Sequence, residues 1–237
     1  MKVQREIFCD LDEKGRPVFP GFVSYIHESE PLIIHRYGRL DFSDGYDDFC
    51  DSFSQDNGKT FSNPILRLKS YKSGEKIIRY AENACFFDKD RKKLFTFMSK
   101  RTYINNRIEV DGPSCVVYDV FDFEKRQWQG EKEINIKLPG QLLISFCFPL
   151  QIDDDTVLIP AITHMVDQYG ASVHDKGWWA SANMSLVIKM RINVDDSVVF
   201  TAGNPVGIDL EKSSRGIGEN TIAKLENGRI VMVCRGD

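Results

Sequence analysis

The chain has 237 residues, enough for one or two domains, with 31 Lys plus Arg against 35 Asp plus Glu and a formal charge of −4. That balance excludes a broad basic footprint for nucleic acid, and 42% hydrophobic with 28% charged residues excludes a chain disordered throughout. The longest nearly apolar run, 142–150, is too short to span a bilayer as a helix, so neither nucleic acid nor membrane is an expected partner. The opening residues Met1-Lys2-Val3-Gln4-Arg5-Glu6 lack the apolar stretch of a secretory signal, which favours the cytoplasm. The six cysteines (Cys9, Cys50, Cys85, Cys115, Cys147, Cys234) form no CxxC pair and are expected as free, largely buried thiols. His27, His35, His164 and His174 lack metal-ligand spacing, and nucleotide and Ser-hydrolase motifs are absent, so no metal or organic cofactor is expected.

Taken in chain order, the strand signals repeat. Residues 23–26 and 32–35 are short apolar strands flanking a polar turn, the pattern of a hairpin. Strands are expected next over 48–54 and 65–68. The hairpin returns at 84–87 and 93–98, followed by strands over 115–121 and 133–138. It returns at 149–152 and 156–162, with strands over 184–192 and 198–201. A last hairpin covers 221–225 and 229–234 around Asn227-Gly228, a pair that accepts positive φ at both positions. The repeats start near 23, 84, 149 and 221, spacings of 61, 65 and 72 residues. Four strands per repeat without helical periodicity predict an all-β β-propeller of four-stranded blades, with a many-stranded β-sandwich as the alternative. At this period 237 residues make about three and a half blades. Residues 1–237 are therefore expected to form one propeller domain, truncated at the C-terminus or closed by a partner.

In an antiparallel meander the connections between second and third strands share one end with the crossings between blades. Those connections read as long loops here, over 35–47, 99–114 and 163–183, and long loops on a rigid scaffold are where sites are built. They bring Arg36, Arg39, Asp41, Asp44, Asp47 and Asp48, then Arg101, Tyr103 and Arg107, then His164, Tyr169, His174, Trp178 and Trp179. Glu82 and Glu219 fall just before first strands and Arg235 at the end of a second strand, all at that same end. Acids, arginines and aromatics together suit a polar, anionic, sugar-like ligand. The same residues also read as a solvated rim of loop charges.

Ser54-Gln55-Asp56-Asn57-Gly58-Lys59-Thr60-Phe61 fits S-x-D-x-G-x-T-[WF], the Asp box of sialidase-type (BNR-repeat) propellers, and it falls on the expected turn between third and fourth strands. Degenerate copies are read at 122–128 and 195–200. The stretch Gly218-Glu219-Asn220-Thr221-Ile222, continuing through Asn227-Gly228 to Cys234-Arg235, resembles the sialidase segment from its catalytic glutamate to an arginine of its carboxylate-binding triad. Ser43-Asp44 resembles the segment bearing the acid/base aspartate, and Arg39 and Glu82 resemble contacts to sugar hydroxyls. The resemblance covers residues 17 to the end and implies an incomplete six-bladed, sialidase-like propeller. It further implies a glycosidase in which Asp44 serves as acid/base, Glu219 assists a tyrosine nucleophile, and Arg235 clamps an anionic group, with Arg39, Glu82, Arg101 and Trp178 binding a terminal sugar by an exo mechanism. It places the tyrosine and the third triad arginine in later blades. Phe19-Pro20-Gly21-Phe22, the counterpart of the family's F-R-I-P-like start, has no arginine, although Arg16 is nearby. A non-catalytic glycan- or protein-binding propeller and another glycosidase or lyase on the same scaffold stay open as readings, as does an ordinary turn at Asp44-Gly45.

Overall fold

The structure, a computed structural model, describes residues 11–26, 32–42, 45–110, 112–173 and 181–236. Among them every regular element is a β-strand. The chain divides into two compact units, Met1–Tyr71 and Lys72–Asp237.

The first unit is an antiparallel meander of β1 (Val18–Ile26), β2 (Leu32–Phe42), β3 (Gly45–Ser54) and β4 (Ile65–Leu68), paired in that order. The expected strands are all present, but the expected loop over 35–47 is not. β2 runs on to Phe42 and β3 starts at Gly45. Arg36 therefore sits in mid-strand directly opposite Asp51. Its Nε and Nη2 donate to the two carboxylate oxygens at 2.7 and 2.8 Å, and the arginine is fully buried. Opposite charges directly across two strands attract, so a residue read as rim charge is instead part of the sheet interior. The Phe22 ring lies 5.3 Å from its guanidinium.

Between β3 and β4, the segment 54–61 closes on its own side chains. Asp56 Oδ1 accepts from the Thr60 amide at 2.9 Å and Oδ2 from the Thr60 hydroxyl at 2.6 Å, while Ser54 Oγ accepts from the Gly58 amide at 2.8 Å. Asn57 and Gly58 take φ of 63° and 85°, the left-handed region that asparagine and glycine tolerate. The bond from the Thr60 hydroxyl, with others to this carboxylate, draws the Asp56 carboxyl down to about 2.

In the second unit, β6 (Lys76–Asp88) and β7 (Lys93–Ile104) form a long hairpin extended by β9 (Cys115–Asp122). The short strands β5 (Tyr71–Ser73) and β8 (Arg107–Ile108) pair with β6 and β7 respectively, and β10 (Gln127–Trp128) and β11 (Lys132–Glu133) both pair with β9. Of the fourth strand expected over 133–138 only Glu133, at the end of β11, is paired as strand, and β10 lies ahead of it. Ile134, Ile136 and Leu138 do face the core, and the Ile134 amide still reaches the Val116 carbonyl at 2.8 Å. Apolar alternation reports burial, and here burial extends further than pairing.

The third sheet holds β12 (Leu142–Ile144), β13 (Leu150–Gln151), β14 (Thr156–His164), β15 (Asn183–Ile192) and β16 (Val198–Ala202). Its first strand begins at Leu142 rather than at 149 and is split, with both β12 and β13 on β14. Pro149, which has no N–H for a ladder, lies in the gap. A final hairpin joins β17 (Gly218–Lys224) to β18 (Ile230–Arg235), with Gly228 at φ 80° in its turn. The second and third sheets share one apolar core, in which Ala84, Phe95, Phe97 and Tyr118 meet Ile144, Ile159, Leu186 and Ile188. The described cysteines are thiols; Cys85 is buried, and Cys50, Cys115, Cys147 and Cys234 are half-buried rather than deeply buried as expected. Cys9 lies outside the described residues.

Two outcomes follow from the first unit. Breaking one side of a buried ion pair strands the other charge, so Asp51→Ala is expected to cost about 3–5 kcal/mol in urea unfolding, and the double variant R36M/D51L to recover most of it. Asp56 has a folded carboxyl value near 2, below its ordinary 3.8. Its contribution is therefore complete above pH 4 and lost as pH falls through 2. Thermal unfolding of Asp56→Ala should show a lower midpoint than the natural chain at pH 7, with the gap closing between pH 4 and 2.

Candidate functional site

The candidate residues depend on one recurring irregularity. Each first strand loses register near one end: β1 between Pro20 and Phe22, β6 between Ala81 and Asn83, and β17 between Gly218 and Thr221. In the third sheet residues 145–149 interrupt the strand at the matching place. A bulge leaves one residue unpaired and re-aims its side chain. In β6 that residue is Glu82 and in β17 it is Glu219, at φ of 39° and 44°. Positive φ is costly for a residue with a Cβ. Both glutamates therefore lie within first strands, not before them as the sequence suggested, because the strands continue through the bulge.

Each glutamate pairs with an arginine of the next strand. Arg235 Nη1 donates to Glu219 Oε1 at 2.8 Å, with both side chains more than half exposed (53% and 58%). Arg101 Nη2 lies 3.0 Å from Glu82 Oε1, and this pair is about nine-tenths buried. The two arginines are not register equivalents. Arg235 stands opposite Gly218, just before its bulge, whereas Arg101 stands opposite Arg79, further from its own. Arg101 belongs to β7 and not to a loop.

Within the second unit the bulged ends are stitched together. Ser99, opposite Ala81, accepts from the Ile144 amide at 2.9 Å. The next residue, Ser145, donates its hydroxyl to Asn220 Oδ1, and Asn220 Nδ2 donates to the Leu186 carbonyl at 2.9 Å. These bonds link β7 to β12, and the residue after β12 to β17 and on to β15.

In the first unit Arg39 is a β2 residue opposite Val18, not a loop residue. Its Nη1 donates to the Arg16 carbonyl at 3.2 Å, and its guanidinium lies over Tyr37 at 5.6 Å. Arg16 itself is held by Asp12 at 2.8 Å, Asp47 at 2.5 Å and Asp41 at 3.6 Å. A guanidinium ringed by carboxylates is already filled and makes a poor clamp for another one. Asp44, Trp178, Ser43, His174 and Trp179 lie outside the described residues, as does His27. Among the described residues, no group of three or more His, Cys, Asp or Glu side chains gathers as a metal site.

Sequence reasoning missed Arg79 and Thr163. Arg79 is 3% exposed and directly opposite Arg101, with its guanidinium 5.4 Å from the centre of the Tyr103 ring. Burial pushes the Tyr103 hydroxyl up to about 12, against the opposing charge of Arg101 and that of Arg79, with the Glu82 charge adding to the rise. Thr163 is 3% exposed, and its hydroxyl has no hydrogen-bond partner among the described residues. A register one residue finer than apolar alternation is needed to find either.

No family model and no curated protein matches the chain. Among solved structures, it is similar to the Hadza microbial sialidase Hz136, with a TM-score of 0.62 and 15% identity over 92% of this chain and 42% of that one. It is also similar to an ulvan lyase of polysaccharide lyase family PL25, with a TM-score of 0.53 and 13% identity over 79% of this chain and 44% of that one. The same figures hold for the lyase bound to -[GlcA(1-4)Rha3S]-. The chain spans less than half the length of each. The likeness shows the fold alone, all-β and β-propeller-like.

The two glutamates should respond oppositely to glycine, which accepts positive φ freely. Glu219→Gly should stay within about 1 kcal/mol of the natural chain, since an exposed ion pair stabilises little. Glu82→Gly should lose about 3 kcal/mol because it strands Arg101 in a buried place. Chemical denaturation of both variants checks the contrast.

Proposed function

We propose that the protein acts on glycans as a sialidase-like, exo-acting glycoside hydrolase on a terminal acidic sugar. The observation that carries this reading is the Glu219–Arg235 pair. It is an exposed carboxylate and guanidinium held at a positive-φ bulge, on residues that resemble a sialidase's catalytic glutamate and a triad arginine. An exposed pair returns little stability, so stability does not account for the strained backbone, and strain of this kind gathers at functional sites. Both structural neighbours carry carbohydrate-active names, and the lyase is bound to a saccharide bearing a carboxylate and a sulfate.

In the proposed chemistry Arg235 holds the sugar's anionic group through charge-assisted bonds. Asp44 protonates the leaving oxygen and later takes a proton from water, and Glu219 accepts the proton of a tyrosine nucleophile. Arg39, Glu82, Arg101 and Trp178 contact the sugar. The turn over 54–61 is, in this reading, an Asp box with a structural role only. A second reading, binding without cleavage, is favoured by Gly21 at the β1 bulge, where the family pattern has an arginine close by.

Turnover and binding of 4-methylumbelliferyl sialoside, glucuronide and neutral glycosides test both. Hydrolysis of an acidic glycoside, reduced at least about a hundredfold by Asp44→Ala with less effect on binding, supports the hydrolase. Saturable binding of acidic sugars without turnover supports the binding reading. Preference for neutral glycosides, or no interaction with any, overturns the proposal.

A further inference from the structure

The segment that leads into the last bulge is fixed by the start of β15. The Asn183 amide donates to the Arg215 carbonyl at 2.9 Å, and the Asn183 carbonyl accepts from the Ile217 amide at 3.0 Å. Gly216, between those partners, has φ 68°, and a Cβ there would fall 2.1 Å from the Asn183 carbonyl oxygen, so a glycine is required. Ser213, 3% exposed, donates its hydroxyl to the Gly216 carbonyl and holds the same turn from below. Asn183 therefore has a set place beside Gly218 and the Glu219 bulge.

At Gly218 the missing side chain leaves a notch. A Cβ there would have Asn183 Cβ and Nδ2 at 3.6 Å and Ile162 Cγ2 at 3.7 Å as its nearest neighbours, ordinary contact distances. Arg235 stands directly opposite Gly218 across the hairpin. Residues directly opposite share a face, with Cβ atoms about 4.5–5.5 Å apart. The notch thus has the Asn183 amide on one side and Arg235, exposed and paired with Glu219, on the other. Asn183 Oδ1 is buried and has no hydrogen-bond partner among the described residues. A buried acceptor left unpaired costs about 1–3 kcal/mol. Stability therefore does not account for an asparagine at this position, whereas a donor bordering the notch beside Arg235 suits a ligand oxygen.

We propose that Asn183 is a further ligand-binding residue, and that a carboxylate of the ligand sits over Gly218, accepting from Asn183 Nδ2 on one side and from Arg235 on the other. The assignment of that carboxylate to a sugar rests on the glycan reading above; the notch itself does not. The two oxygens of a carboxylate accept from two separate donors, and the charge-assisted bond to Arg235 is the stronger of the two. The absent Cβ of Gly218 leaves the room.

The full chain, labelled with ¹⁵N at asparagine and arginine side chains, is titrated with sodium acetate, sodium glucuronate, N-acetylneuraminic acid and glucose while the Asn183 Nδ2 and Arg235 Nε signals are followed. Saturable shifts of both signals with an acidic sugar, and none with glucose, support the notch. N183L should weaken that binding about tenfold, the loss of a bond to a charged group, at a urea midpoint no lower than that of the natural chain, because the unpaired acceptor is gone. G218A, whose methyl meets its neighbours at ordinary contact distance, should keep the natural midpoint and also bind about tenfold less tightly. If a variant does not fold, the two signals of the natural chain decide alone. An Asn183 signal that stays still while Arg235 moves, or natural affinity for acidic sugars in folded N183L or G218A, sinks the notch and leaves the glycan reading standing. Acetate moving both signals with both acidic sugars refused upholds the notch and sinks the glycan reading. No shift with any carboxylate, or an equal shift with glucose, overturns the notch.

Discussion

A sheet that is apolar on a face must cover that face with another layer, and in the second unit the second and third sheets do this for each other. Phe95, Phe97 and Tyr118 meet Ile144, Ile159, Leu186 and Ile188 in one core. Fully burying each such side chain contributes about 1.5–3 kcal/mol. That packing decides which face of β6 and β7 turns inward, because one residue of slip in a strand reverses every side chain. Arg79, Arg101 and Tyr103 have no choice of side once Phe95 and Phe97 are set. The polar layer is thus a consequence of the apolar one.

The bulges work against this regularity at one place only. Without them, strand alternation would continue uniformly past Glu82 and Glu219 to the strand ends. With them, one glutamate per strand leaves the alternation while its neighbour Asn220, in the last hairpin, stays in it and bonds to Ser145 and the Leu186 carbonyl. A rigid sheet and a re-aimed carboxylate coexist because the irregularity spans a single residue and is pinned on both sides by ladder pairs such as Ala81 with Ser99 and Asn83 with Met98.

How much of this was legible follows from the length scale of each signal. Hairpins, third strands and the turn over 54–61 are written in runs of several residues, and those runs stand where the repeat put them, apart from the short fourth strand after β9 and the split first strand of the third sheet. Asn227-Gly228 and Asp56-Asn57-Gly58 carry their own geometry in local φ preferences and side-chain bonds. The bulges were not legible, because Glu82 preceded by Ala81 and followed by Asn83 looks the same whether or not it is paired. Arg36 was read as a rim charge because a charged residue in a strand resembles one in a loop until its cross-strand partner, Asp51, is known. Arg79 and Thr163 carry no motif at all; only the register between β6 and β7 sets Arg79 opposite Arg101, and only the pairing of β14 sets Thr163 between Leu142 and Met184.

The two glutamate–arginine pairs show why one device can serve two ends. Exposed Glu219 and Arg235 exchange one another for water at little cost, so the pair can open to a ligand without unfolding anything. Buried Glu82 and Arg101 cannot, because separating them would leave charges in a region that water does not reach. The first pair can exchange partners with solvent, and the second holds a fixed charge pattern. Both begin from the same strained glutamate on a first strand. Burial is what separates them.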